Sequence, residues 1–141
     1  MRTIDDIKVI NWSGHAENGV LVPIEVEKQI PFKIKRLFYV FGVNSNSPRG
    51  KHAHHKTEQI LVCLNGQIKC TCKDVFGKEM TVALNYPTQA IYIPEMIWDE
   101  QVYMSDKSIL LSLCSTEYDP KDYIQDYESF QNMKGEDKSC M

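Results

Sequence analysis

Apolar positions along this chain come in short runs, several with two-residue alternation, and the runs are separated by turn residues; the pattern belongs to strands. Residues 20–24 (Val20-Leu21-Val22-Pro23-Ile24) are apolar and largely β-branched, with a proline that suits an edge or a strand end. Residues 36–41 make a stronger strand, stopped by Gly42 and the polar loop at 44–48. Residues 59–64 run into Asn65-Gly66, and residues 67–72 alternate on the return, which predicts a hairpin closed by a type I′ turn. A second turn at Phe76-Gly77-Lys78 leads into residues 80–84, and residues 90–93 and 108–114 are further strands. Regular short strands of this kind predict an all-β fold, a sandwich or barrel. One segment differs. Residues 120–127 space their apolar side chains three and four apart behind Pro120, which predicts a short C-terminal helix. No second-domain boundary is visible, so one domain is expected over residues 1–133, with a polar, frayed tail at 134–141.

Composition narrows the class without naming a chemistry. With 141 residues, 43% of them hydrophobic, the chain can bury a single core. A net charge of −3 gives no electrostatic support for a nucleic-acid partner. The apolar runs are too short for a membrane span, and the acidic N-terminus Met1-Arg2-Thr3-Ile4-Asp5-Asp6 does not read as a signal peptide, so a cytoplasmic protein is expected. Five cysteines (Cys63, Cys70, Cys72, Cys114 and Cys140) lack paired metal-ribbon spacing. Those in the strands are expected to be buried, reduced thiols.

The candidate chemistry lies in Pro48-Arg49-Gly50-Lys51-His52-Ala53-His54-His55, which holds three of the four histidines. His15, the fourth, falls in a loop expected to be exposed. On a strand, His52 and His54 point to the same face. The spacing of Gly50, His52, His54, Glu58 and Gly66 resembles the first motif of cupins. Two chemistries follow. In one, His52, His54 and Glu58 bind a metal with Asp99 as a fourth ligand, because the stretch Ile93-Pro94-Glu95-Met96-Ile97-Trp98-Asp99 lacks the histidine expected there. In the other, a histidine removes a proton beside a carbonyl and a second group returns it to the neighbouring carbon. Arg49, with Arg36 and Tyr39 on the preceding strand, would then bind phosphate or sugar, and Asp99 is a fourth candidate for the substrate site. A non-catalytic ligand-binding cupin is a third reading.

Residues 30–39, 48–54 and 59–66, with the closing segment 118–127, together resemble the dTDP-sugar 3,4-ketoisomerases over about residues 22–130. The resemblance implies a small cupin jelly roll, a homodimer exchanging N-terminal strands, and no metal or other cofactor. It implies dTDP-4-keto-6-deoxyglucose as substrate, giving a 3-keto sugar that an aminotransferase uses for 3-amino-3,6-dideoxy sugars of surface glycans. By the same resemblance His52 matches the catalytic base, His54 its partner in proton transfer, and Arg49 and Tyr39 residues lining the sugar and pyrophosphate pocket. Two positions depart from the family pattern: Trp98-Asp99-Glu100 stands where relatives read Trp-His-Glu, and Gln125 where arginine is frequent.

Overall fold

A computed structural model describes residues 1–135; Cys140 and most of the tail expected to fray lie outside the described residues. The strands are β1 (Lys8–Asn11), β2 (His15–Ala16), β3 (Val20–Leu21), β4 (Arg36–Val40), β5 (Ser47–His54), β6 (Gln59–Asn65), β7 (Ile68–Lys73), β8 (Glu79–Leu84), β9 (Gln89–Ile93), β10 (Trp98–Tyr103), β11 (Ile109–Cys114) and β12 (Tyr123–Ile124). A short helix, α1 (Tyr127–Asn132), follows. Two five-stranded antiparallel sheets form, in the orders β1-β9-β6-β11-β4 and β12-β5-β10-β7-β8, while β2 and β3 make a small exposed ribbon. From β4 to β11 the chain repeatedly crosses between the sheets, as in a jelly roll.

The core between the sheets contains Leu61, Cys63, Ile91, Ile93 and Leu110 from the first sheet and Ile68, Cys70, Cys72, Leu84 and Tyr103 from the second. Alternation along β6 sends Ile60 and Val62 to the other face of its sheet, where Trp12, Ile30 and Phe32 cover them. Thus β6 is apolar on both faces and is a central strand buried from Gln59 to Cys63. Cys63, Cys70, Cys72 and Cys114 are buried and free, as their strand positions led us to expect.

Two local expectations are corrected. The Asn65-Gly66 turn does not close a hairpin within one sheet: β6 pairs with β9 and β11, whereas β7 pairs with β8 and β10. Of the two turn residues only Gly66 has a positive φ, +77°, so a type I′ turn is not formed. A Cβ at Gly66 would lie 2.6 Å from Ser108 Oγ. The glycine serves a tight corner between sheets, and a turn signal does not reveal which strands flank it as neighbours. The helix expected over residues 120–127 is also broken. Pro120–Asp122 forms one 3-10 turn, with the Asp119 side chain accepting from the Lys121 N–H; β12 then pairs with β5 before α1 begins behind the Asp126 cap. Pairing to an open strand edge overrides the local helical spacing here.

Candidate active site

A cavity of about 380 Å3 opens between the sheets, within the ~300–1,000 Å3 usual for small-ligand sites. Its polar wall includes Arg36, Arg49, His52, Gln59, Gln101 and Tyr123, with Tyr118 at the side. A groove of about 630 Å3 beside it shares Tyr118 but is lined by His55, Lys56 and Asp119 among others. The smaller cavity holds the His52 imidazole together with two arginines, and so is the better place for chemistry.

A bulge in β5 builds this wall. In the register of β5 with β10, Asp99 is opposite His52, Glu100 opposite Gly50 and Gln101 opposite Arg49, which leaves Lys51 as an extra residue. Arg49 and His52 are three apart and would face opposite sides of a regular strand. The bulge brings both to the interior face, opposite the buried Gln101 and Asp99. Gly50 and Lys51 carry it with φ of +83° and +57°. At Gly50 a Cβ would also stand 3.2 Å from the Asp99 carbonyl oxygen and 3.0 Å from Gln101 Nε2.

Past the bulge, the His52 and His54 rings are 4.9 Å apart, and Tyr123 packs on both, at 5.1 Å from His52 and 4.5 Å from His54. His54 is only 4% exposed and its Nε2 has no hydrogen-bond partner among the described residues. Burial, then the neighbouring His52, lowers its pKa to about 4, so His54 is a neutral imidazole near pH 7. Asp122 anchors this corner: its carboxylate accepts from the Lys56 N–H at 2.7 Å and from the Thr57 N–H and hydroxyl. Arg36 lies 5.5 Å from the Tyr118 ring and 5.9 Å from the Phe38 ring, and its guanidinium interacts with the Tyr123 hydroxyl.

The residues singled out from the sequence therefore divide. His52, Arg49 and Arg36 line one cavity, with His54 directly behind. Asp99 is buried beside His52 and accepts a hydrogen bond from Gln101 Nε2, so it supports the wall and is not part of the cavity lining. Burial pushes the Asp99 carboxyl above the usual range, against the pull of His52. Tyr39 requires a correction. On β4 the half-buried Arg36, Phe38 and Val40 face the cavity, whereas Tyr39 is 63% exposed and stacks on Phe41, 6.2 Å away. The four-ligand metal arrangement is also corrected. The Glu58 carboxylate accepts from the Tyr92 hydroxyl at 2.5 Å, while the next residue, Gln59, lines the cavity. Among the described residues no group of three potential metal-ligating side chains converges.

The WxcM-like, C-terminal family (FdtA) matches residues 3–135. The chain is 40% identical over 126 residues to the TDP-4-oxo-6-deoxy-alpha-D-glucose-3,4-oxoisomerase of Aneurinibacillus thermoaerophilus, covering 88% of this chain and 89% of that protein. The chain belongs to the dTDP-sugar 3,4-ketoisomerase family. Its fold matches QdtA, a sugar 3,4-ketoisomerase from Thermoanaerobacterium thermosaccharolyticum solved with TDP, at TM-score 0.88 and 34% identity, over 94% of this chain and 96% of that one. A histidine-to-asparagine mutant of the same ketoisomerase, solved with TDP-4-keto-6-deoxyglucose, matches at TM-score 0.88 and 34% identity, over 93% and 95% of the two chains.

Several lining residues of this family member escaped the sequence reading. Tyr123 was hidden inside an apparent helix, and Tyr118 lay just ahead of it. Gln101 sits on β10, whose inward residues Asp99 and Gln101 are polar and so break the apolar alternation that marks a strand. The signal for the bulge was present: a glycine inside a strand pattern, next to the histidines.

Proposed function

We propose that the chain moves the keto group of a TDP-linked 4-keto-6-deoxy sugar, dTDP-4-keto-6-deoxyglucose, from C4 to C3 through an enediol, with His52 as the base. The observation that carries this reading is an imidazole and two guanidiniums on one cavity wall. His52 is the imidazole that lines the cavity, placed to take the proton from C3. His54, neutral and behind it, is its partner in returning the proton at C4. Arg49 and Arg36 supply planar, permanently charged donors for the sugar oxygens and the pyrophosphate. The related oxoisomerase and the TDP-bound ketoisomerase support the substrate class.

The reading extends to assembly and setting. Leu37 and Tyr39 are exposed on the edge strand β4 and Phe41 just past its end, and Val20 and Leu21 are exposed on the ribbon. An edge with that apolar face suits a homodimer in which N-terminal strands are exchanged. In that reading Tyr39 belongs to the subunit contact. Among the described residues no helix is long and apolar enough to cross a membrane. The proposed setting is the cytoplasm, where the 3-keto product would feed an aminotransferase making 3-amino-3,6-dideoxy sugars for surface glycans.

The test is His52→Asn. A general base contributes ~10²–10⁴ in rate, so turnover of dTDP-4-keto-6-deoxyglucose should fall by that factor while the sugar nucleotide still binds. Turnover within a few-fold of wild type would remove His52 from the mechanism. A wild-type protein that binds the nucleotide but leaves the sugar unchanged would make this a binding module.

A further inference from the structure

A sugar brings hydroxyl donors into a site, and this cavity wall has few groups free to accept from them. Arg36 and Arg49 only donate. The Tyr123 hydroxyl already meets the Arg36 guanidinium, and Tyr118 is 65% exposed. Of the polar lining residues, that leaves the carboxamide oxygens of Gln59 and Gln101 as neutral acceptors. The sugar ring of dTDP-4-keto-6-deoxyglucose has hydroxyls at C2 and C3. The C3 hydroxyl becomes the new ketone, so only the C2 hydroxyl is a donor both before and after the shift.

We infer that Gln101 is a specificity-determining residue, whose carbonyl oxygen accepts a hydrogen bond from the C2 hydroxyl of the sugar, and that Asp99 is the positioning residue that aims it. This assignment deepens the ketoisomerase reading above and rests on the sugar nucleotide named there. Gln101 lines the cavity opposite Arg49 in the register of β5 with β10, and Asp99 is opposite His52. The two are two residues apart on one strand, so both side chains point inward. There Gln101 Nε2 donates to Asp99 Oδ2. An amide held by its nitrogen turns its oxygen the other way. Among the described residues none donates to Gln101 Oε1, and the buried side-chain atoms without partners are Arg36 Nε, His54 Nε2 and the Tyr103 hydroxyl. The Gln101 oxygen is therefore left open to the cavity.

The backbone makes room for this amide. A Cβ at Gly50 would stand 3.0 Å from Gln101 Nε2 and 3.3 Å from its Cδ. The bulge that turns Arg49 inward thus also provides the space in which Gln101 lies. Gln59 is held by its nitrogen as well, 3.4 Å from Ser112 Oγ, but it belongs to the other sheet, in the row of Cys114 and Arg36. Gln101 shares its sheet with His52 and is the next inward residue after the one paired with it. In the sugar, C2 is bonded to C3, the carbon assigned to His52.

The test needs no turnover. dTDP-6-deoxyglucose and dTDP-2,6-dideoxyglucose differ only in the C2 hydroxyl, and neither has the reacting keto group. Titration calorimetry should show wild-type protein binding the first about tenfold more tightly, as one hydrogen bond in a closed site would give. Gln101→Met keeps the size and removes the acceptor, so the ratio should collapse to within about twofold through loss of affinity for the first sugar alone. Asp99→Leu should lower the ratio in the same way, whereas Asp99→Asn, which still offers an oxygen to Gln101 Nε2, should keep it. A wild-type ratio below about threefold would overturn the assignment, as would a ratio that survives Gln101→Met or collapses instead in Gln59→Met. Equal loss of both affinities in Gln101→Met would also overturn it, since that marks a side chain that only packs. A ratio lost equally in Asp99→Leu and Asp99→Asn would remove Asp99 from its positioning role. Wild-type protein that discriminates the two sugars yet converts no dTDP-4-keto-6-deoxyglucose would end the ketoisomerase reading and leave this assignment standing, and failure to bind either sugar would end both.

Discussion

Strand β4 carries two residues singled out from the sequence, Arg36 and Tyr39, and β5 carries Arg49 and His52 at the same three-residue spacing, with His54 two further on. On β4 the strand is regular, so Arg36 faces the cavity and Tyr39 faces away. On β5 the extra residue at Lys51 restores parity, and Arg49 joins His52 on the inner face. The same sequence spacing thus gives opposite outcomes. One irregular residue decides whether an arginine and an imidazole can act on the same molecule, which is why the glycine before it matters as much as the groups it aims.

Deleting Lys51 should break this contrast with the largest effect. A β5 without its bulge must turn either Arg49 or the histidines out of the cavity, and a misplaced catalytic group can cost about 10² in rate. We expect kcat/KM to fall at least that far, with circular dichroism still reporting a β-sheet protein. Retained activity would mean that the strand reaches the same alignment without the bulge.

The next effect concerns the buried end of β5. His54 is held near pKa 4 in the folded protein, against 6.5 as its ordinary value. Above pH 6.5 neither the folded nor the unfolded chain protonates this group. As pH falls from 6.5 towards 4 the unfolded chain takes up a proton that the folded one refuses, so stability is lost through that window, by up to roughly 3 kcal/mol. Urea denaturation at pH 7 and pH 4.5 should show a smaller loss for His54→Asn than for wild type. Equal losses would show that His54 titrates normally.

The smallest effect sharpens the comparison directly. Arg49→Lys keeps the charge but not the planar fork, and KM for the sugar nucleotide should rise about tenfold, equivalent to ~1.4 kcal/mol. Tyr39→Ser, on the outward face of β4, should leave kcat/KM within about twofold when measured at concentrations where the wild-type assembly is intact. A tenfold loss in Tyr39→Ser, with assembly unchanged by sedimentation, would place Tyr39 in a substrate site after all.

The sequence was legible where a strand's character is local. The apolar runs at 36–41, 90–93 and 108–114 reappear as β4, β9 and β11 within a residue of their ends. Pairing was not local, and Asn65-Gly66 marked a corner between sheets with the signature of a hairpin. Strands that turn polar residues inward were missed; β10 hides Asp99 and Gln101 in the interior and so lacks the alternation that marked its neighbour β7. For the site, the histidines and both arginines were legible because their chemistry is rare in this composition. Tyr123 was not, since its place depends on an edge of β5 that becomes available only once the sheet has formed. Alternation alone was enough to separate Tyr39 from Arg36.

The Asp122 anchor has a consequence for the order in which the enzyme is made. The strands that carry and flank the imidazoles, β5 to β11, are synthesised before the ribosome reaches Tyr118 and Tyr123. Until those last residues emerge and Asp122 closes on the Lys56–Thr57 amides, the reaction chamber lacks a wall and its histidines stand open to water. A nascent chain, or one clipped by a protease just after Cys114, would keep its imidazoles and both arginines but lack the Tyr118 and Tyr123 side of the cavity. The cavity wall is therefore completed only when β12 docks on the edge of β5.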